Sequence, residues 1–84
     1  MTQVLATRYD RVIERAARTN KLSAREAQIL KLIATGTPRS ALADAMGVKP
    51  ETVKTLCARL RRKSGVHRLE DLVIELQKKS GRLA

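Results

Sequence analysis

Apolar residues recur along this chain at three- and four-residue intervals in five successive stretches, and each stretch predicts a helix. Over residues 3–18, Val4, Leu5, Tyr9, Val12, Ile13 and Ala16 approximate one helical stripe, while the polar face is rich in Arg. Thr19-Asn20-Lys21 interrupts the pattern. Ser23-Ala24-Arg25-Glu26 then reads as a capping box, in which the serine caps the helix and the glutamate reaches back to the cap. The helix it opens runs to about Thr35, burying some of Ala27, Ile29, Leu30, Leu32, Ile33 and Ala34, and Gly36 ends it. Thr37 as N-cap and Pro38 in the first turn predict a third helix with Ala41, Leu42, Ala45 and Met46 on its inner face.

Gly47 closes that helix and makes a tight turn, Val48 fills the core beside it, and Pro50 opens a fourth helix that ends near Ser64 with Gly65 beyond. Val53, Leu56, Cys57 and Leu60 form the apolar stripe of this fourth helix. Glu51, Thr55, Ala58 and Arg62 fall on the opposite side, flanked by Lys54 and Arg61 on one edge and Arg59 on the other. Lys49 takes the N-cap position without a capping side chain, and its charge sits against the positive end of the helix dipole. A nearby phosphate would compensate. The fifth helix spans Leu69 to Lys79 with Leu69, Leu72, Val73 and Leu76 at i, i+3, i+4 and i+7, and residues 80–84 are expected to fray. The fold class is all-α: a small helical bundle, with 1–21 as an N-terminal helical extension, 22–79 as the main domain and 80–84 as a tail.

Length and composition sharpen this picture. A chain of 84 residues makes one small domain and buries only about 60% of its unfolded surface, so dimerisation would help its stability. Tyr9 is the only aromatic residue, which leaves the core to aliphatic side chains and suits packed helices. Lysine and arginine outnumber acids 18 to 8, and the excess is uneven: residues 49–66 carry 6 basic groups and 1 acid. Half of the net charge of +10 therefore lies around the fourth helix, which favours a polyanion partner over a generally basic surface. An amphipathic helix with a cationic face, preceded by a short helix and a sharp turn, is what places side chains in a DNA major groove.

Other chemistries lack their residues. Cys57 is the sole cysteine, so there is no intramolecular disulfide and no cysteine-based metal site, and its place on the apolar stripe makes it a buried hydrophobe. His67 is the only histidine, with no carboxylate or thiol at ligand spacing. No serine has a nucleophile–base setting and no glycine-rich phosphate loop is present, so neither an enzyme nor a cofactor or metal protein is expected, and no small-molecule ligand is evident. There is no signal-peptide run and no membrane-length span, which makes a cytoplasmic protein without a membrane partner the expectation.

Residues 22–74 resemble the LuxR/GerE-type helix-turn-helix of bacterial transcription regulators. The likeness rests on Leu22-Ser23-x-Arg25-Glu26, Ile29-Leu30-x-Leu32-Ile33-Ala34-x-Gly36, Leu42-Ala43, Met46-Gly47-Val48, Thr52-Val53-Lys54, Leu60-x-x-Lys63-x-Gly65-Val66 and Arg68-x-Glu70-x-Leu72-Val73, in register without gaps. Lys49 replaces the family's usual small hydroxyl cap, Leu56 its frequent His, and Ser64 a usual apolar residue. The resemblance implies duplex-DNA binding, commonly as a dimer through the last helix. It puts Lys54, Thr55 and Ala58 at base edges, in agreement with the helical wheel, and Thr52, Arg59 and the basic helix end near phosphates. The chain shows no receiver or ligand-binding domain in front, and so is expected to be either a single-domain regulator or an output domain.

The expected function is thus a sequence-specific, duplex-DNA-binding transcription regulator whose recognition helix covers about residues 50–64 and which acts as a homodimer. Lys54, Thr55 and Ala58 are the expected base contacts. Lys49, Thr52, Arg59, Arg61, Arg62 and Lys63 are the expected phosphate contacts, with Arg39 assisting. Leu69, Leu72, Val73 and Leu76 are the expected dimer interface, with the N-terminal helix as the other candidate. RNA polymerase is a further candidate partner: the alternative reading is a protein-interaction adaptor on a helix-turn-helix scaffold that docks on polymerase or on another regulator. RNA or single-stranded DNA is a poorer fit, because such surfaces rely on aromatic stacking.

Overall fold

The computed structural model describes the backbone of residues 2–81 and the side chains of residues 9–81. Five helices follow in order: α1 (Thr2–Thr19), α2 (Ala24–Ala34), α3 (Arg39–Met46), α4 (Pro50–Ser64) and α5 (Leu69–Gly81). Their boundaries follow the local signals. Ser23 Oγ accepts from the Glu26 amide at 3.1 Å while Glu26 Oε1 accepts from the Ser23 amide at 2.8 Å, completing the capping box. Gly47 and Gly65 adopt left-handed conformations (φ 66° and 70°), a region that side chains with a Cβ enter at a steric penalty. The amides that follow them, Val48 and Val66, donate to Ala43 O and Arg61 O, so the last carbonyls of α3 and α4 are satisfied.

Three local expectations need correction. The N-cap of α3 is Pro38, with no side-chain capping bond, and not Thr37. The Thr37 amide is engaged in closing the previous helix, donating to Leu32 O at 2.9 Å, so position 37 belongs to that terminus. Ala45 is exposed, whereas Ala43 packs against the core, so the inner face of α3 is centred on Leu42 and Met46 with Ala43, and not Ala45, at its edge. Ser80 and Gly81 continue α5 where fraying was expected, while positions 82–84 lie outside the described residues.

One core joins all five helices: Ile13 from α1, Ile29, Leu30 and Ala34 from α2, Leu42 and Met46 from α3, Val53, Leu56, Cys57 and Leu60 from α4, and Leu69, Leu72 and Leu76 from α5. Helices α2 and α5 touch each other and both touch α1 and α4, but among the described residues α1 and α4 make no close backbone approach. α1 and α4 thus pack on the α2/α5 pair without running against each other, and come together where Ser64, the last residue of α4, lines the same cleft as Arg15, Ala16 and Thr19. α1 is held at one end by the hydroxyl of Tyr9, which donates to Ala34 O at 2.9 Å, and along its length by Val12, Ile13 and Ala16. Of the expected α1 stripe, the side chains of Val4 and Leu5 lie outside the described residues.

This arrangement changes the account of α5. Leu69, Leu72 and Leu76, expected at a dimer interface, are each 4% exposed or less within a single chain. Leu72 and Leu76 face Val12 and Ala16 across a narrow cleft, so the added helix covers the surface that periodicity had marked as sticky. Of the four residues only Val73 is partly open, next to Ile74, which is 48% exposed.

Candidate nucleic-acid interface

The outer face of α4 is built by its inner one. Val53, Leu56, Cys57 and Leu60 are fixed in the core, and the helical period then sends Lys54, Thr55, Arg59 and Arg62 to solvent, with Ala58 partly covered. Lys49, Thr52 and Arg62 are likewise exposed, and Arg61 is half-buried on the flank. Eight of the nine positions expected to meet DNA thus share one end-to-end surface of α4 and its cap. Glu51 is the only acid among them. The N-cap, Lys49, makes no side-chain capping bond; Pro50 has no amide hydrogen and the Thr52 and Val53 amides donate to Lys49 O, so the Glu51 amide is the one first-turn donor left open beside the Lys49 charge.

Two side chains carry constraints that the sequence did not reveal. Thr55 Oγ1 lies 3.2 Å from Glu51 O and donates back into its own helix, so its methyl group and oxygen lone pairs are what it offers outward. Lys63, expected on phosphate, has partners within the chain. Its ammonium donates to Glu26 Oε1 at 2.6 Å and to Lys21 O at 3.2 Å, tying the end of α4 to the start of α2. Glu26 is 1% exposed. Burial by itself would push its carboxyl up, but the Lys63 and Ser23 hydrogen bonds and the Lys63 charge outweigh that and hold it below the ordinary glutamate range. Arg39, expected to assist on phosphate, is shared with Glu70 at 3.5 Å, and Glu70 also takes Arg68 at 3.2 Å.

A further anchor sets the turn: Arg25 Nη1 donates to Met46 O at 3.4 Å, linking α2 to the end of α3 just before Gly47. The angle of α4 is therefore fixed at both ends, by Arg25 at the turn and by Glu26–Lys63 at the far end. Sequence reasoning found both α2 residues as motif positions but not their partners, which lie 21 and 37 positions away.

Other chemistry is not assembled. Among the described residues no group of three His, Cys, Asp or Glu is arranged to hold a metal ion, and no helix is long and apolar enough to cross a membrane. Burial pushes the Cys57 thiol up, away from the reactive thiolate, despite the charges of Arg39 and Arg61.

A short helix, a glycine turn and an outward-facing cationic helix braced by a capped scaffold helix define a helix-turn-helix DNA-binding domain. The family model for bacterial regulatory proteins of the luxR family, GerE, matches residues 20–76, and the chain belongs to that family. It is accordingly a domain of the DNA-binding transcription-regulator class, and α1 up to Thr19 lies outside the matched region. Comparison with curated proteins and with solved structures gave no match.

Proposed function

We propose that this protein regulates transcription by binding a specific duplex sequence, with α4 in the major groove. The observation that carries the reading is the exposed face of α4, where Lys54, Thr55 and Ala58 run between the cations Lys49, Arg59 and Arg62 and oppose a fully packed inner stripe. Lys54 is suited to a guanine O6/N7 edge, and the Thr55 methyl and Ala58 to thymine methyl groups. Lys49, Thr52, Arg59, Arg61 and Arg62 supply phosphate contacts and a log–log salt slope of about −0.9 for each phosphate neutralised.

The regulator acts as a homodimer in this reading. Because Leu69, Leu72 and Leu76 serve the chain's own core, the dimer contact on α5 falls to Val73 and the exposed Ile74. Selection from a random duplex pool, followed by fluorescence anisotropy at several salt concentrations, tests the whole proposal. Lys54→Ala should relax preference at one base position by about 2 kcal/mol while leaving the salt slope nearly unchanged. Failure of selection to enrich any motif, or an Arg59→Glu/Arg62→Glu protein that binds DNA as well as wild type, would point instead to the adaptor.

A further inference from the structure

The family match begins at residue 20, so α1 is an addition whose outer surface no part of the reading above uses. Tyr9, Val12, Ile13 and Ala16 occupy its inner face. Arg11 and Arg18 lie on the far side and Arg15 on the flank at the α1/α5 cleft; all three are exposed, at i, i+4 and i+7, and none has a carboxylate within ion-pair distance among the described residues. The acids nearby do not cancel them. Asp10 sits on the flank and reaches Lys31 at 4.0 Å, Glu14 is exposed on the same face, and Glu75 shares the α1/α5 cleft with Arg15 and Lys79. Five cations (Arg11, Arg15, Arg18, Lys21 and Lys79) therefore stand against two uncommitted acids, Glu14 and Glu75.

The position of this stripe matters as much as its charge. α1 and α4 pack on the same α2/α5 pair without a close backbone approach to each other, and each turns its apolar stripe to the shared core, so the Arg11 and Arg18 side of α1 and the exposed side of α4 are separate surfaces. Resting on the reading of α4 as the DNA helix, we propose that α1 is a second, sequence-independent phosphate-binding surface that lets one protomer bridge two duplex segments. Charge complementarity selects the occupant, since the stripe lacks the aromatic platforms that single strands need. A bilayer is a poorer fit because the described apolar side of α1 is already consumed by the core. The domain is 19 Å across even in its thinnest direction, while the Debye length is about 8 Å at physiological salt, so repulsion between the two duplexes is screened.

The test is a two-duplex capture. The intact protein is loaded on a bead-bound duplex carrying the selected motif, and a fluorescent duplex of unrelated sequence is then added at about 0.15 M salt, where the repulsion is screened. Wild type should retain the second duplex whatever its sequence. Arg11→Gln/Arg15→Gln/Arg18→Gln, with helicity checked by circular dichroism, should reduce that capture about tenfold or more, while its anisotropy affinity for the motif duplex changes less than about threefold. Capture that persists in this variant would mean that two α4 copies of a dimer do the bridging, and would overturn the proposal. A parallel fall in both quantities would also overturn it, by placing α1 on the same duplex as α4. Absence of motif binding by wild type appears in the anisotropy step, before any second duplex is present, and would remove the DNA reading and this proposal together.

Discussion

Replacing Glu26 with Gln tests how far the orientation of α4 depends on a single buried charge. The carboxylate is 1% exposed and bonded at 2.8 Å to the Ser23 amide and at 2.6 Å to the Lys63 ammonium. Glutamine preserves volume and the acceptor for Ser23, so the capping box survives and the loss is confined to the ion pair. Removing one member of a fully buried pair costs about 3–5 kcal/mol. Here the Lys63 side chain is 38% exposed and its ammonium is free to turn to water, so the loss is nearer to about 2 kcal/mol, or about 10 °C in Tm for a chain of this size. Urea unfolding followed by circular dichroism measures it. The pH dependence carries the same information with a defined sign. Because the folded carboxyl lies below its ordinary value near 4.5, the contribution is complete above that value and is lost as pH falls through the folded-state pKa beneath it. The glutamine variant should lose this acid-side slope. A variant within about 0.5 kcal/mol of wild type, with an unchanged acid profile, would refute the view that this pair braces the helix.

Other substitutions probe separate parts of the fold. Lys49→Ser should supply the missing N-cap, raising stability by about 1 kcal/mol in thermal melts, yet weaken duplex binding and flatten its salt slope by about one unit. Ser64 Oγ is buried with no hydrogen-bond partner among the described residues, so Ser64→Ala should be neutral or stabilising by up to about 1 kcal/mol, and a loss larger than that would reveal a partner. Ile13, 3% exposed, anchors α1: Ile13→Ala should cost about 2–4 kcal/mol in urea unfolding, far more than an appended helix would.

Much of this architecture was legible because its signals are local. A left-handed turn needs a glycine, and Gly47 and Gly65 mark two helix ends directly; Ser23 and Glu26 mark a start within four residues. The exposed cationic side of α4 was legible for a related reason: once Val53, Leu56 and Leu60 are assigned inward, helical geometry leaves Lys54, Thr55 and Arg59 outward. Contacts made across the chain escaped. Lys63 looked like one more cation at a basic helix end, and only the fold brings it to Glu26. The stripe of Leu69, Leu72 and Leu76 announced that something covers α5 without saying whether that cover is another subunit or the chain's own first helix. Thr37 and Pro38 offered two adjacent cap positions, and hydrogen bonding at the preceding helix end decided between them.

The placing of Val12 and Ala16 opposite Leu72 and Leu76 bears on how such a domain is exchanged between proteins. Helix-turn-helix modules are natural pieces for recombination, joined to new partners at the start of the scaffold helix. In this chain a splice at residue 20 would cut through the hydrophobic interior and expose leucines that the family pattern does not by itself protect. The portable unit is larger than the recognisable one. A chimera that grafts this DNA-reading surface onto a different receptor must carry Tyr9 to Thr19 with it, or redesign the outer wall of α5 with polar residues.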